Sequence, residues 1–570
     1  MKRLSYFGSF ILVAAFLSGC GGLNKMKKDA GNISYQVTPK VLEAHGGKVA
    51  VSITGQFPEK YFNKNAIVEA TPVLVYEGGE TAFPSVTLQG EKVEANNKSI
   101  SFAGGKFDYS GEVDFKDAMR VSELMLRVKA SMKGTSVDFD PVKLADGVIA
   151  TSTLVMKMPK PIFMKDNFKR IIPEDKMADI NFIINRYNLR KSELKAEDVQ
   201  ALLDFVKAAN EAPNMEFTST EIHGYASPDG KYDFNAKLSQ ERADAVDKYM
   251  QREYKRAKVE AVNKESFISE KSTAEDWDGF KKLLENSTIK DKDLILRVLS
   301  MYSDPEVREK EIRNMAEAFE VLKKSILPEL RRSQIQVNVN KIGFSDEEIL
   351  NYIESNPDTL GIEEMLYAAT LTDDAARQLK FYQTAFAKYP QCIRAANNVG
   401  ATFLKMGKVA EAKDALMKAK ALKDIDIVKN NLGFCELLDG NLDKATEYFT
   451  SMQKPTPESN FGLGTIAIIK GNYQDAVNFF GNEPSLNNAL AKLLNDDATG
   501  AKNLLDGWDH ECKHVDYLKA VIGARLGNED YMFNNLKLAV QKDAKMKDQI
   551  KTDMEFGKYF ENDTFKSIVE

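Results

Sequence analysis

The chain has 570 residues, enough for several domains, each with its own core. Lys and Arg total 78 against 84 Asp and Glu, so the net charge is −6 and nothing suggests a nucleic-acid partner. Only one run, at the very start, approaches the apolar length of a membrane segment.

That run opens with Lys2 and Arg3 and continues apolar over 7–16. It is too short for a stable span and reads as a cleaved signal segment, 1–19. Leu17-Ser18-Gly19-Cys20 resembles a lipobox, which implies acylation of Cys20 and a lipid anchor. No Asp follows Cys20, so the resemblance implies the outer rather than the inner membrane. Gly21 and Gly22 begin a lysine-bearing flexible tether, 20–31.

Residues 32–158 are predicted to be a β-sandwich. Val49, Val51 and Ile53 alternate with polar or small residues, as do Leu124, Leu126 and Val128. Gly46-Gly47, Gly78-Gly79, Asn96-Asn97 and Gly104-Gly105 supply turns. No motif there carries chemistry. Pro159 and Pro161 mark the exit.

An α+β domain is expected over 160–342. A strand is predicted at 180–184, and a helix at 196–212 carries Val199, Leu202, Val206 and Ala209 on one face. A second strand, 217–223, leads into G-Y-A-S-P-D-G-K-Y-D-F-N-A-K-L-S-Q-E-R-A-D-A-V, 224–246. This stretch resembles the signature of the OmpA-like, peptidoglycan-associated domain. Gly224, Gly230, Asn235, Leu238, Ser239, Arg242, Ala243 and Val246 match in register. In that family an Asp and the Arg grip the zwitterionic end of diaminopimelate in the peptidoglycan stem peptide. The resemblance carries over Arg242 for the ligand carboxylate, to which a planar guanidinium is suited. The family's Asp is Ser227 here, which has no charge. Asp229, on the Ser227-Pro228-Asp229-Gly230 turn, offers a displaced carboxylate, and Asn235 is expected to order that turn. Arg331-Arg332 before Ile335, Val337 and Val339 resembles the family's closing strand.

Residues 275–330 form a longer, helical insert than the family has. Stripes at Trp277, Phe280, Leu283 and Leu284, then at Leu294, Ile295, Val298 and Leu299, favour a local cap over an added partner surface.

Residues 343–570 contain an internal repeat. Gly400, Gly433 and Gly464 recur, followed by Gly407, Gly440 and Gly471, then Ala412, Ala445 and Ala476, then Leu416, Phe449 and Phe480. The pattern resembles tetratricopeptide repeats, which implies an all-α superhelix with a groove for an extended segment. Weaker units are predicted over 364–390 and 515–541. Asn397, Asn398, Asn430 and Asn431 either meet backbone amides in that groove or lie on solvated helix surface.

His510, Cys512 and His514 cluster, but without a fourth ligand or a metalloprotease pattern no metal or cofactor is expected. Cys392, Cys435 and Cys512 remain after Cys20; an odd count in separate repeats points to free thiols. No phosphate loop, nucleophile elbow or dinucleotide fingerprint is present. The expectation is a non-catalytic, lipid-anchored protein on the periplasmic face of the outer membrane. It would bind peptidoglycan through Ser227, Asp229, Asn235 and Arg242 and recruit an envelope protein through the repeats. The alternative is an assembly or secretion scaffold whose OmpA-like domain no longer binds the wall.

Overall fold

The computed structural model describes residues 20–290 and 292–570. The expected signal segment, 1–19, lies outside them. Two compact units result: the residues up to Lys165 with Thr372–Glu570, and Asp166–Leu371. No helix among the described residues is long and apolar enough to cross a membrane.

The first unit begins with sheets. One has five strands, with Lys48–Phe57 central between Ser34–Thr38, Leu42–His45 and Gly105–Asp114. The other has seven, built on the antiparallel pair Ile67–Tyr76 and Ser122–Met132. Alternation works as read. Val49, Val51, Ile53 and Phe57 face a core with Phe62, Leu88, Phe107 and Leu124, while Ala50, Ser52 and Gln56 are exposed.

The tether differs from expectation. Cys20–Lys28 is a helix, and Leu23 and Met26, one turn apart, are 0% and 3% exposed in the sheet core. The Tyr61 hydroxyl donates to the Met26 carbonyl at 3.0 Å. Two apolar residues at i and i+3 suffice to seat one helix face.

The unit continues as antiparallel helix pairs. Ile393–Lys405 packs on Val409–Leu422, Asp426–Leu438 on Leu442–Thr450, and Pro457–Ile469 on Tyr473–Phe480. Leu486–Leu494 with Ala498–Asp506, and Lys513–Leu526 with Glu529–Lys542, complete the row. Gly407, Gly440 and Gly471 take positive φ at the turns, a left-handed conformation that residues with a Cβ rarely adopt. At Gly433 a Cβ would lie 2.6 Å from the Phe449 ring, and at Gly400 it would lie 2.4 Å from Leu416. The small position is thus a seat for the bulky residue of the second helix. The result is a mixed architecture, sheet-rich at the start and helical repeat at the end.

The second unit has a four-stranded sheet, ordered Ile171–Asn181, Arg332–Ile342, Met215–Tyr225, Ile268–Thr273. Helices Glu197–Glu211 and Tyr232–Ala257 contribute Val199, Leu202, Val206, Ala243 and Val246 to its core. The first strand starts earlier than the 180–184 predicted and ends at Asn181, leaving 182–184 outside it. Its early part, 171–176, pairs with 337–342 but buries no apolar side chain, so no alternation of apolar residues marks it. Helices from Trp277 to Ser325 build a separate core from Phe280, Leu284, Ile295, Leu299, Ile312 and Leu322, consistent with a local cap.

The units divide elsewhere than the expected boundaries at 158/160 and 342/343. Residues up to Lys165 belong with the repeats. Residues 343–371 stay with the α+β unit, where Arg170 pairs with Asp346 and Phe168 stacks on Tyr367 at 4.5 Å. The split at 371/372 falls inside the weak repeat predicted over 364–390.

Candidate functional site

The strand Met215–Tyr225 delivers the signature to a turn at the start of the helix Tyr232–Ala257. Gly224 is needed there: a Cβ would lie 2.1 Å from the Ser239 carbonyl oxygen, so its absence lets helix and strand close. Ser227, Asp229, Asn235 and Arg242 all line one cleft of about 410 Å³, together with Ile184, Phe234 and Arg331.

Within it the polar groups answer one another. Asn235 Nδ2 donates to the Ser227 carbonyl at 3.0 Å and so orders the turn. The Ser227 hydroxyl donates to Asp229 Oδ1. Arg331 donates from Nε to Ser227 Oγ and from Nη2 to Asp229 Oδ2, each at 3.2 Å. Arg313 Nη2 donates to the Asp229 carbonyl at 2.8 Å.

Arg242 is 1% exposed. It donates to the carbonyls of Tyr225 at 2.7 Å, Arg186 at 3.1 Å and Ile183 at 3.4 Å, and its guanidinium lies 5.2 Å from the centre of the Phe182 ring. Burial, with the Arg331 charge, pulls its pKa down to about 10, so it stays cationic at neutral pH. Its first duty is therefore to tie 183–186 to the signature strand. Arg331 is the site member that sequence reasoning named without a role. The paired arginines were visible, but the contact with Ser227 spans 104 residues.

The Asn pairs in the repeats are fully buried and do meet backbone amides. Those amides belong to the same chain. Asn431 accepts from Ile162 N at 2.8 Å and donates to Ile162 O at 2.9 Å. Asn398 grips Met164 the same way, at 2.8 and 2.9 Å. Asn487, which the sequence reading passed over, grips Met156 at 2.9 and 2.8 Å. Asn430 and Asn397 donate to the carbonyls of Lys160 and Ile162, both at 3.1 Å. Between these clamps Pro159 and Pro161 have no N–H to satisfy. The Lys160 ammonium between them lies 4.3 Å from the centre of the Phe461 ring and 2.9 Å from Glu483.

Cys392, Cys435 and Cys512 are free thiols. Among the described residues no three His, Cys, Asp or Glu side chains are grouped to hold a metal.

No protein-family model matches the chain, and no curated protein matches it. Solved structures do. The chain is similar to one in the crystal structure of the APC/C hetero-tetramer Cut9-Hcn1, at 17% identity and a TM-score of 0.33, over 40% of this chain and 46% of that one. It is also similar to a tetratricopeptide repeat protein from Parabacteroides merdae ATCC 43184, at 11% identity and a TM-score of 0.29, over 39% of this chain and 89% of that one. A third is YrrB, described as a tetratricopeptide repeat protein with an unusual peptide-binding site, at 18% identity and a TM-score of 0.21, over 35% and 94%. The chain thus spans less than half the length of the first of these. The repeat architecture rests on the helix pairs and glycine seats described above, not on these likenesses.

Proposed function

We propose that this chain is a non-catalytic scaffold of the outer membrane, anchored by lipid on Cys20 and facing the periplasm. In this reading its α+β unit is an OmpA-like domain that binds the peptidoglycan stem peptide, and its repeats recruit an envelope protein. The carrying observation is the convergence of Ser227, Asp229, Asn235, Arg242 and Arg331 on one cleft. A ligand ammonium would meet Asp229 and a ligand carboxylate would meet Arg331, each exchanging an internal partner for an external one.

A second reading has its own support. Asp229 is already held by Ser227 and Arg331, and Arg242 by three carbonyls. A site satisfied internally suits an assembly scaffold that has given up wall binding.

Sedimentation with purified sacculi separates the two. The chain from residue 20 with Cys20→Ser is compared with Asp229→Ala and Arg331→Gln. A wall-binding domain gives a wild type that pellets and variants about tenfold weaker or more, about 1.4 kcal/mol. A folded wild type that stays in the supernatant leaves the scaffold reading.

A further inference from the structure

The groove that extended segments would enter is already occupied by 155–165. Three residues of this strap, Met156, Ile162 and Met164, have both backbone polar groups held by a buried asparagine amide. Ile162 and Met164 are two apart, the spacing of an extended chain, and their clamps come from successive helix pairs. The match is one of pattern as well as contact. Asparagines accept the N–H groups of Met156, Ile162 and Met164, and the Phe461 ring takes the Lys160 ammonium between the two prolines.

Two features distinguish the strap from a core strand. Only one side of it is covered: Lys157 and Met158 are exposed, and the residues from Pro159 to Met164 are half-buried. It also leaves the groove imperfectly matched. Asn430 Oδ1 is buried in the groove wall without a hydrogen-bond partner, although its amide nitrogen reaches Lys160 O. An acceptor so placed is one that a different occupant, with a donor at that point, would satisfy.

We propose that 155–165 is a displaceable occupant that closes the repeat groove in cis. The ligand it excludes is an extended protein segment of the same chemistry. That segment offers N–H and C=O together at alternate residues for Asn398 and Asn431, and a cationic side chain for Phe461 and Glu483. This rests on the reading of the repeats as a recruiting surface and adds that recruitment requires release of the strap.

The test uses the chain from residue 20 with Cys20→Ser and a fluorescent peptide of residues 154–166. The double variant Ile162→Pro/Met164→Pro removes the N–H groups that Asn431 and Asn398 accept, so its own strap cannot seat. The opened variant should bind the peptide at least tenfold more tightly than wild type, and adding Asn398→Ala and Asn431→Ala should abolish the gain. An opened variant with intact helical content that binds no peptide overturns the proposal. So does a wild type that binds equally well.

Hydrogen exchange on wild type gives a reading free of folding effects. The Ile162 and Met164 amides should exchange about a hundredfold faster or more than those of the buried helix Asp426–Leu438. Exchange only together with that helix would make the strap an integral part of the core and sink the proposal. Neither result touches the cleft at Asp229, which sacculus sedimentation reads separately.

Discussion

Arg242 lines the cleft, yet its donors already bind the protein. It reaches three carbonyls from two segments while almost wholly buried. Removing it takes a charged donor from all three, although the Ile183 carbonyl keeps the Arg186 N–H at 3.0 Å; each hydrogen bond from a charged donor contributes about 1.5–3 kcal/mol. Arg242→Ala should therefore lower the stability of the α+β unit by about 3 kcal/mol or more. Arg242→Lys should recover little, because a single ammonium cannot span three acceptors. Denaturant melts read this directly, and an unchanged midpoint would return Arg242 to the role of a free ligand group.

Glu270 makes a second prediction in the same unit. Glu270 is exposed on its strand, yet partial desolvation, then a hydrogen bond and charge from Asp244, then the charge of Asp247, push its pKa up to about 7. The folded state thus holds a proton that the unfolded chain releases near 4.5. Stability contributed by this group is present at pH 4.5 and below, falls as pH rises towards 7, and is flat beyond. Glu270→Gln keeps the protonated shape, so it should melt about 2 °C above wild type at pH 8 and level with it at pH 5. Parallel melting curves across that range would refute the assignment.

At the scale of elements, the repeats stand on one contact repeated. The first helix gives up a side chain so that the second can seat a large one. Gly433→Ala puts a methyl 2.6 Å from Phe449 and should cost about 1–3 kcal/mol. Phe449→Leu should cost less in that background than alone, a coupling that a double-mutant cycle on the melting midpoints would expose; additive costs would mean the two residues do not press on each other. The same contact made the repeat legible, because Gly, Gly, Ala and a bulky residue recur at fixed offsets. The pair Leu486–Leu494 and Ala498–Asp506 escaped notice. Its turn uses Asp496 at φ +61° rather than glycine, although Asn487-Asn488 echoed the earlier pairs. The sheets were legible through alternation. The helix Cys20–Lys28 was not, since two apolar residues make no period. In the cleft, the signature named four lining residues, while Arg331 became a partner only through folding. The strap was illegible for a related reason: an extended segment held by side-chain amides has no burial rhythm of its own.

At the scale of the whole chain, Asp166–Leu371 is an insertion between the strap and the first repeat helix. The strap is consequently far in sequence from everything that holds it: 234 residues from Asn398, 269 from Asn431 and 331 from Asn487. A chain is made from its N-terminus at about 5–20 residues per second. Roughly 15–70 s therefore separate the appearance of Met156 from that of its clamp. Until their clamps appear, 331 residues on for Met156, 269 for Ile162 and 234 for Met164, these residues are an uncovered adhesive strip on a growing chain. The inserted unit, complete before the first clamp exists, can fold in the meantime. The seam that joins the molecule's beginning to its end is thus sewn last, and whatever first handles the newborn chain must keep that strip from sticking elsewhere.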